Sequence, residues 1–360
     1  MEIVESLIFL NEFFNKRILI TGHTGFKGSW LSIWLDKLGA KVTGYSLDPT
    51  NQNDNYILSN ISSKITDFRF DIRDYTKFNQ VVKESNPEVI FHLAAQPLVL
   101  TSYEEPLSTI DINIKGTANV LEAFKNSESA KVLVVITTDK VYKNNKKNSK
   151  FIEDDILGGN DLYSASKAAT ELLCNAYNKS FFTKQDKVIA TVRAGNVIGG
   201  GDWSDNRIVP DSIKAIENNH KIIIRNPKSI RPWQHVLEPL GGYLLLASNL
   251  LKKNTIVPSL NFGPESSNEI NVEYLVNSII NKYGKGDYEI KEELNAPKES
   301  SFLSLNIDKA KSELGWEPLL TFEETIDFTI EWYKEYKTSS IYDLCIKQIN
   351  KYEEFWKSRN

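Results

Sequence analysis

The chain has 360 residues, of which 41% are hydrophobic and 25% charged, with a formal net charge of -4. That length supplies a sizeable core, in two domains or one large one, and so even a charge balance offers no electrostatic footprint for nucleic acid. Cys174 and Cys345 cannot build a disulfide framework and stand in no ligand spacing with histidine, which points to a reducing compartment and no metal site.

In chain order, MEIVESLIFLNEFFNKR opens with acids and lacks a small-residue cleavage site, which argues against a signal peptide. No run reaches the roughly 18 apolar residues of a membrane span, so a soluble, cytoplasmic protein without membrane contact is expected. Short β-branched runs then alternate with amphipathic stretches. The runs are RILITG (17–22), KVTGYSL (41–47), ITDFRFD (65–71), EVIFHLAA (88–95), KVLVVITT (131–138) and KVIATVRAG (187–195), and SWLSIWLDKLG and GTANVLEAFKN lie between them with helical period. Such alternation predicts an α/β fold, a doubly wound parallel sheet with helices on both faces. Residues 1–195 are read as this domain. Beyond them the rhythm changes to Gly, Pro and Trp punctuation in GNVIGGGDWSDNRIVPD and RNPKSIRPWQHVLEP. Residues 196–360 are therefore read as a smaller, mixed, mainly substrate-binding domain, with some chain returning to the sheet.

The first strand runs into LITGHTGFKGSWL, which sets Gly22, Gly25 and Gly28 at the opening of a helix, with Thr24 and Phe26 between them. Glycines there let the backbone approach a pyrophosphate whose charge sits at the helix N-terminus, the mark of a Rossmann dinucleotide site. An acid at the end of the second strand commonly holds the adenosine ribose. Here Ser46 occupies that place and Asp48 follows, and no arginine comes immediately after them in sequence for a 2′-phosphate, which favours NAD over NADP. Leu93, Ala94 and Ala95 end the fourth strand, the alanines small enough for a cofactor to pass over the sheet.

Further on, DLYSASKAATELL places Tyr163 and Lys167 four residues apart, on one face of a helix. A phenol of ordinary pKa about 10 can act as a base near neutrality only beside a cation that favours its phenolate, and Lys167 supplies one. With TGHTGFKG, NIKGTANVLEA, YSASKAATE and RPWQHVLE, this motif resembles the extended short-chain dehydrogenase/reductase superfamily along nearly the whole chain. The stretch TTDKVY, together with GHTGFKGSWL and GNVIGGGDWSDNRIVPD, is similar to the sugar-nucleotide 4,6-dehydratases, and among them to those acting on CDP-glucose.

The resemblance implies NAD as cofactor, with Asp71 and Ile72 touching the adenine, although Asp71 also suits a turn or a helix cap. It implies that Thr138 orients the sugar hydroxyl for Tyr163, and that Asp139 and Lys140 serve as acid and base for loss of water. Those two residues also suit a plain polar turn. As alternating side chains of an extended segment, they would point to opposite sides and avoid pairing. For the nucleotide-sugar substrate, the resemblance implies contacts from Ser102, Tyr103 and Asn196, while the planar forks of Arg207 and Arg231 suit a diphosphate. Asn113 is expected to brace the strand–helix network, and Arg193 to form a structural salt bridge. Superfamily members dimerise through helices that include 104–126 and 161–181, which makes a homodimer the expectation. A GDP-mannose, dTDP- or UDP-glucose dehydratase, a UDP-sugar epimerase, and a dinucleotide-binding sensor without turnover stand as alternatives.

Overall fold

The computed structural model describes residues 10–144, 149–182, 186–253, 257–291 and 303–359. One parallel sheet contains β1 (Arg17–Thr21), β2 (Lys41–Ser46), β3 (Thr66–Arg69), β4 (Val89–His92), β5 (Val132–Ile136), β6 (Val188–Ala194) and β7 (Ser259–Phe262). Their spatial order is β7-β6-β5-β4-β1-β2-β3. The order reverses between β1 and β4, and in open α/β sheets the crevice for a ligand lies there, outside the carboxyl ends of the strands.

Strand side chains alternate between two buried faces. Ile18, Phe91 and Val134 meet helices α1 (Phe26–Lys37) and α6 (Leu237–Leu251) and the C-terminal helix α9 (Ile341–Arg359) in one core that includes Trp30, Trp34, Leu244 and Tyr352. Leu19, Ile90 and Leu133 meet α2 (Tyr75–Ser85), α3 (Gly116–Asn126) and α4 (Leu162–Tyr177) in the other, with Val82, Phe124 and Cys174. The six anticipated strands form at or within their expected spans. The seventh, β7, is too short and too broken by Asn261 to carry a clear period. Asn261 is fully buried, and its side-chain amide donates to the carbonyl oxygens of Phe151 (3.0 Å) and Asn306 (3.1 Å).

Three further long helices are α5 (Ile208–Glu217), α7 (Val272–Tyr283) and α8 (Phe322–Glu335), and short ones include Val99–Glu104 and Pro106–Ile110. Three short strand pairs accompany them. Val197–Ile198 pairs with Gln234–His235, Ile230–Pro232 with Glu269–Asn271, and Ile222–Ile224 with Tyr288–Ile290. The last helix is tied to the first: Trp34 Nε1 donates to Glu353 Oε1 at 2.9 Å, Lys37 Nζ lies 2.6 Å from Glu353 Oε2, and the Tyr342 hydroxyl donates to Asp36 at 2.5 Å. Among the described residues no helix is long and apolar enough to cross a membrane.

Helix α4 begins at Asp161, whose side chain accepts from the Ser164 amide at 2.9 Å and from the Ser164 hydroxyl at 2.6 Å. This cap satisfies a donor that the helix itself leaves unpaired. Asp161→Ala should therefore lower stability by about 1 kcal/mol, measured as a shifted midpoint in urea with an unchanged slope.

Candidate active site

A cavity of about 840 Å³ opens over the carboxyl ends of the strands. The glycine turn forms its floor, and two of the three glycines have no substitute. Gly22 has φ +74°, and a Cβ there would stand 2.7 Å from the Ala94 amide nitrogen. A Cβ on Gly28 would stand 2.1 Å from the Gly22 carbonyl oxygen. The turn is thus wound on itself as tightly as a bare backbone allows, with the N-terminus of α1 behind it. That cradle fits a dinucleotide pyrophosphate. Thr24, Gly25, Phe26, Asp48, Asp71, Ile72, Leu93, Ala94 and Ala95 line the same cavity. The Asp71 carboxylate is clamped by Arg73 at 2.6 Å, which holds it below the usual carboxylate range, whereas Asp48 is largely exposed.

The chemical wall comes from the end of β5 and the face of α4. Thr138, Asp139, Lys140, Tyr163 and Lys167 all line the cavity. The strand does not continue through them: Asp139–Val141 is a single 3-10 turn, and the Thr138 hydroxyl caps it by accepting from the Lys140 amide at 3.3 Å. Strand alternation therefore does not separate Asp139 from Lys140, as had been expected; the turn sets their directions. Asp139 is 2% exposed, its Oδ1 accepts from the Thr138 hydroxyl at 2.9 Å, and its Oδ2 is buried without a hydrogen-bond partner. The carboxylate lies so close over Gly195 that a Cβ there would stand 1.9 Å from Oδ2. Lys140 is half-buried.

The Thr138 hydroxyl also neighbours the Tyr163 phenol. Burial pushes that phenol up to about 12, with Thr138 and Arg207 acting against the shift and Asp139 adding to it. The Lys167 ammonium donates to the Ile136 carbonyl oxygen at 3.1 Å, and burial pushes it down to about 8. Asn113 braces the strand–helix junction: its side chain accepts from the Gln96 amide at 2.9 Å and donates to the Ser166 hydroxyl at 2.9 Å. An acid with one unpartnered oxygen, an amine and a phenol therefore share one chamber with the cradle, an arrangement suited to moving protons at neighbouring atoms of a bound ligand.

Asn196, Arg207 and Arg231 also line the cavity, Asn196 in the left-handed conformation at φ +51°. Arg207 NH1 lies 2.9 Å from Asp202 Oδ2. Two expected substrate contacts lie elsewhere. Ser102 is fully buried outside the lining, its hydroxyl donating to the Val99 carbonyl at 2.6 Å and accepting from the Tyr163 amide at 3.3 Å. It ties its own short helix to the start of α4. Tyr103, 56% exposed, turns outward from its short helix and is not part of the lining either.

Sequence reasoning passed over Lys27. It lines the cavity, and burial, with Arg207 next in effect, pushes it down to about 8, while Asp139 acts in the opposite sense. The available signal was a cation set between Phe26 and Gly28, where packing of a turn against a sheet gives no reason for one.

Comparison with known proteins agrees with this geometry. The family model for GDP-mannose 4,6 dehydratase matches residues 19–329. The chain is 41% identical over 339 residues to a CDP-glucose 4,6-dehydratase of Salmonella typhimurium, covering 92% of this chain and 94% of that one. It is 29% identical to a dTDP-D-glucose 4,6-dehydratase of Dictyostelium discoideum, covering 90% and 83%. In fold it resembles the crystal structure of a dTDP-glucose 4,6-dehydratase from Bacillus anthracis in complex with NAD, with a TM-score of 0.75 at 24% identity over 91% of this chain and 99% of that one. A match across most of its length, on a sheet and a cavity of the kind just described, places the chain in the GDP-mannose 4,6 dehydratase family.

Proposed function

We propose that this protein is an NAD-dependent lyase that converts CDP-glucose into CDP-4-keto-6-deoxyglucose. The observation that carries the reading is the meeting of Asp139 and Lys140 with Tyr163 in the chamber that holds the glycine cradle. A simple epimerase needs only the phenol and its orienting hydroxyl; loss of water needs a second acid and a second base. The choice of CDP-glucose is supported by the likeness to the Salmonella enzyme.

Gly22, Gly25, Gly28, Asp48 and Asp71 would hold the dinucleotide. The chemistry supplied by a bound nicotinamide dinucleotide is reversible hydride acceptance, first from carbon 4 and then toward carbon 6 of the sugar. The side chains handle the protons. Tyr163 takes the proton of the carbon 4 hydroxyl, oriented by Thr138, and the positive field of Arg207 favours the phenolate, a role the family resemblance gives also to Lys167. The resulting ketone makes the carbon 5 hydrogen acidic. Lys140 removes it as Asp139 protonates the carbon 6 hydroxyl, the carbon–oxygen bond breaks and water leaves. The proton on Lys140 then returns to carbon 5 as carbon 6 is reduced. Arg207, Arg231 and Asn196 hold the diphosphate through charge-assisted hydrogen bonds.

Incubation with CDP-, dTDP- and UDP-glucose and with GDP-mannose tests substrate and reaction together. A 4-keto-6-deoxy product is expected from CDP-glucose. The same product from another nucleotide alone would reassign the base, and an epimer without loss of water would overturn the reaction.

A cytoplasmic homodimer is part of the same proposal. Leu107 and Leu172 stand 77% and 59% exposed on the two helical segments expected to pair, and large side chains of this kind mark an interaction face when they cluster. The double variant Leu107→Glu, Leu172→Glu should be a monomer by light scattering where the parent is a dimer.

A further inference from the structure

We propose that Glu171, one turn beyond Lys167 on α4, is a positioning residue for this site: it anchors Thr138 through Thr137 and keeps the Lys167 ammonium protonated. The inference rests on the dehydratase reading above.

Glu171 is 4% exposed, and four donors converge on its carboxylate. Oε1 accepts from the Thr137 hydroxyl at 2.5 Å and from Arg193 Nε at 2.9 Å. Oε2 accepts from the Thr191 hydroxyl at 2.5 Å and from Arg193 NH2 at 2.9 Å. The position of a carboxylate held by a guanidinium fork and two hydroxyls is fixed by every element that supplies a donor. The donors come from Thr137, just past β5, and from Thr191 and Arg193 on β6, while Glu171 itself is on α4; the turn after β5 and α4 carry the proton-handling residues. Arg193 NH1 is itself engaged by the Tyr142 hydroxyl at 2.7 Å and the Glu153 carbonyl at 3.0 Å.

The network reaches the chemistry at two points. Thr137 immediately precedes Thr138, whose hydroxyl caps the turn holding Asp139 and Lys140. A slack Thr137 would let the start of that turn drift, and an error of about 1 Å in such a group costs on the order of 100-fold in rate. The second point is Lys167. Its ammonium sits on Ile136, next to Thr137, in a buried place with Cys174 on the same helix, His92 on β4 and Lys27 on the glycine turn as titratable neighbours. Glu171 is the neighbouring anion that opposes the effect of burial on it. Without the Glu171 charge that opposition is lost, while Lys27 still repels the ammonium.

Glu171→Gln and Thr137→Val separate the two effects. In the parent, turnover should fall as pH rises through about 8, because the ammonium is present below that value and lost above it. In Glu171→Gln this alkaline limb should move down by about one pH unit, with kcat at neutral pH reduced about tenfold and KM little changed. In Thr137→Val, which keeps the carboxylate, kcat should fall and the limb stay in place. An unmoved limb in Glu171→Gln would overturn the electrostatic half, and unchanged kcat in Thr137→Val the positional half. A merely structural role would lower the melting temperature of both without moving either limb. If Glu171→Gln fails to fold, the double variant Glu171→Gln, Arg193→Met removes both charges of the pair. Its limb should still lie below the parent's, and a limb at the parental pH would overturn the proposal. Titration of the Lys167 side-chain carbon resonance in 13C-lysine protein, assigned with Lys167→Arg, reads the same shift without substrate. It therefore tests Glu171 even if no nucleotide sugar is turned over, an outcome that would sink the dehydratase reading alone.

Discussion

Lys140→Ala should abolish formation of the keto-deoxy sugar from CDP-glucose while leaving oxidation at carbon 4 in place. The two steps draw on different groups. Tyr163 and Thr138 remain neighbours in the variant, so the hydroxyl proton can still leave and reduced cofactor can still form. What is lost is the amine that takes the carbon 5 proton. A general base contributes about 10²–10⁴ in rate, equivalent to about 3–5 kcal/mol of barrier. Because Lys140 is only half-buried, its truncation leaves no large cavity, so folding should be little affected. The near-ultraviolet absorbance of reduced nicotinamide and the alkaline absorbance of the product, followed in one sample, report the two steps separately. Normal production of the keto sugar would show that some other group is the base.

Gly28→Ala should be the most damaging change to cofactor affinity. The added carbon would lie 2.1 Å from the Gly22 carbonyl oxygen and 2.7 Å from the His23 Cα, and both are backbone atoms with nowhere to move. Gly22 cannot yield, since it already sits at φ +74° against the Ala94 backbone. Relief therefore requires the turn to open, which spoils its approach to the pyrophosphate. Overpacking of this kind costs about 1–3 kcal/mol or more, and 3 kcal/mol is somewhat over 100-fold in affinity. Calorimetric titration with NAD reads the loss. Gly25→Ala is the control for the turn itself: Gly25 has φ -72°, and its added carbon would lie 3.4 Å from the same carbonyl oxygen. Its melting temperature should stay close to the parent's.

What the sequence made legible follows from how local each signal is. Six strands were readable because both faces of the sheet are buried, so that β1, β4, β5 and β6 are nearly continuous apolar runs. The glycine turn and the Tyr163–Lys167 pair were readable because each is written within a few residues. Less local features were not. Strand β7 depends on a buried Asn261 satisfied by Phe151 and Asn306, partners distant in sequence. The turn at Asp139–Val141 is fixed by a Thr138 cap that an extended reading of TTDKVY does not suggest. Ser102 and Tyr103 differ in exposure though adjacent, because a one-residue step on a helix turns a side chain by about 100°. The place of Glu171 was equally hidden, since three of its four donors come from strands and one residue type cannot announce such a meeting.

The bonds between Trp34 and Glu353 join residues 319 positions apart. During synthesis at about 5–20 residues per second, the helix behind the glycine turn must wait on the order of 15–60 s for its covering partner. Throughout that interval Trp30 and Trp34 have oily flanks with nothing to pack on from the carboxyl end. A nascent chain that stops short of α9 would thus hold all seven strands with the Trp34 side of the first helix only partly covered, which is a natural point for chaperone capture and a poor place for truncation.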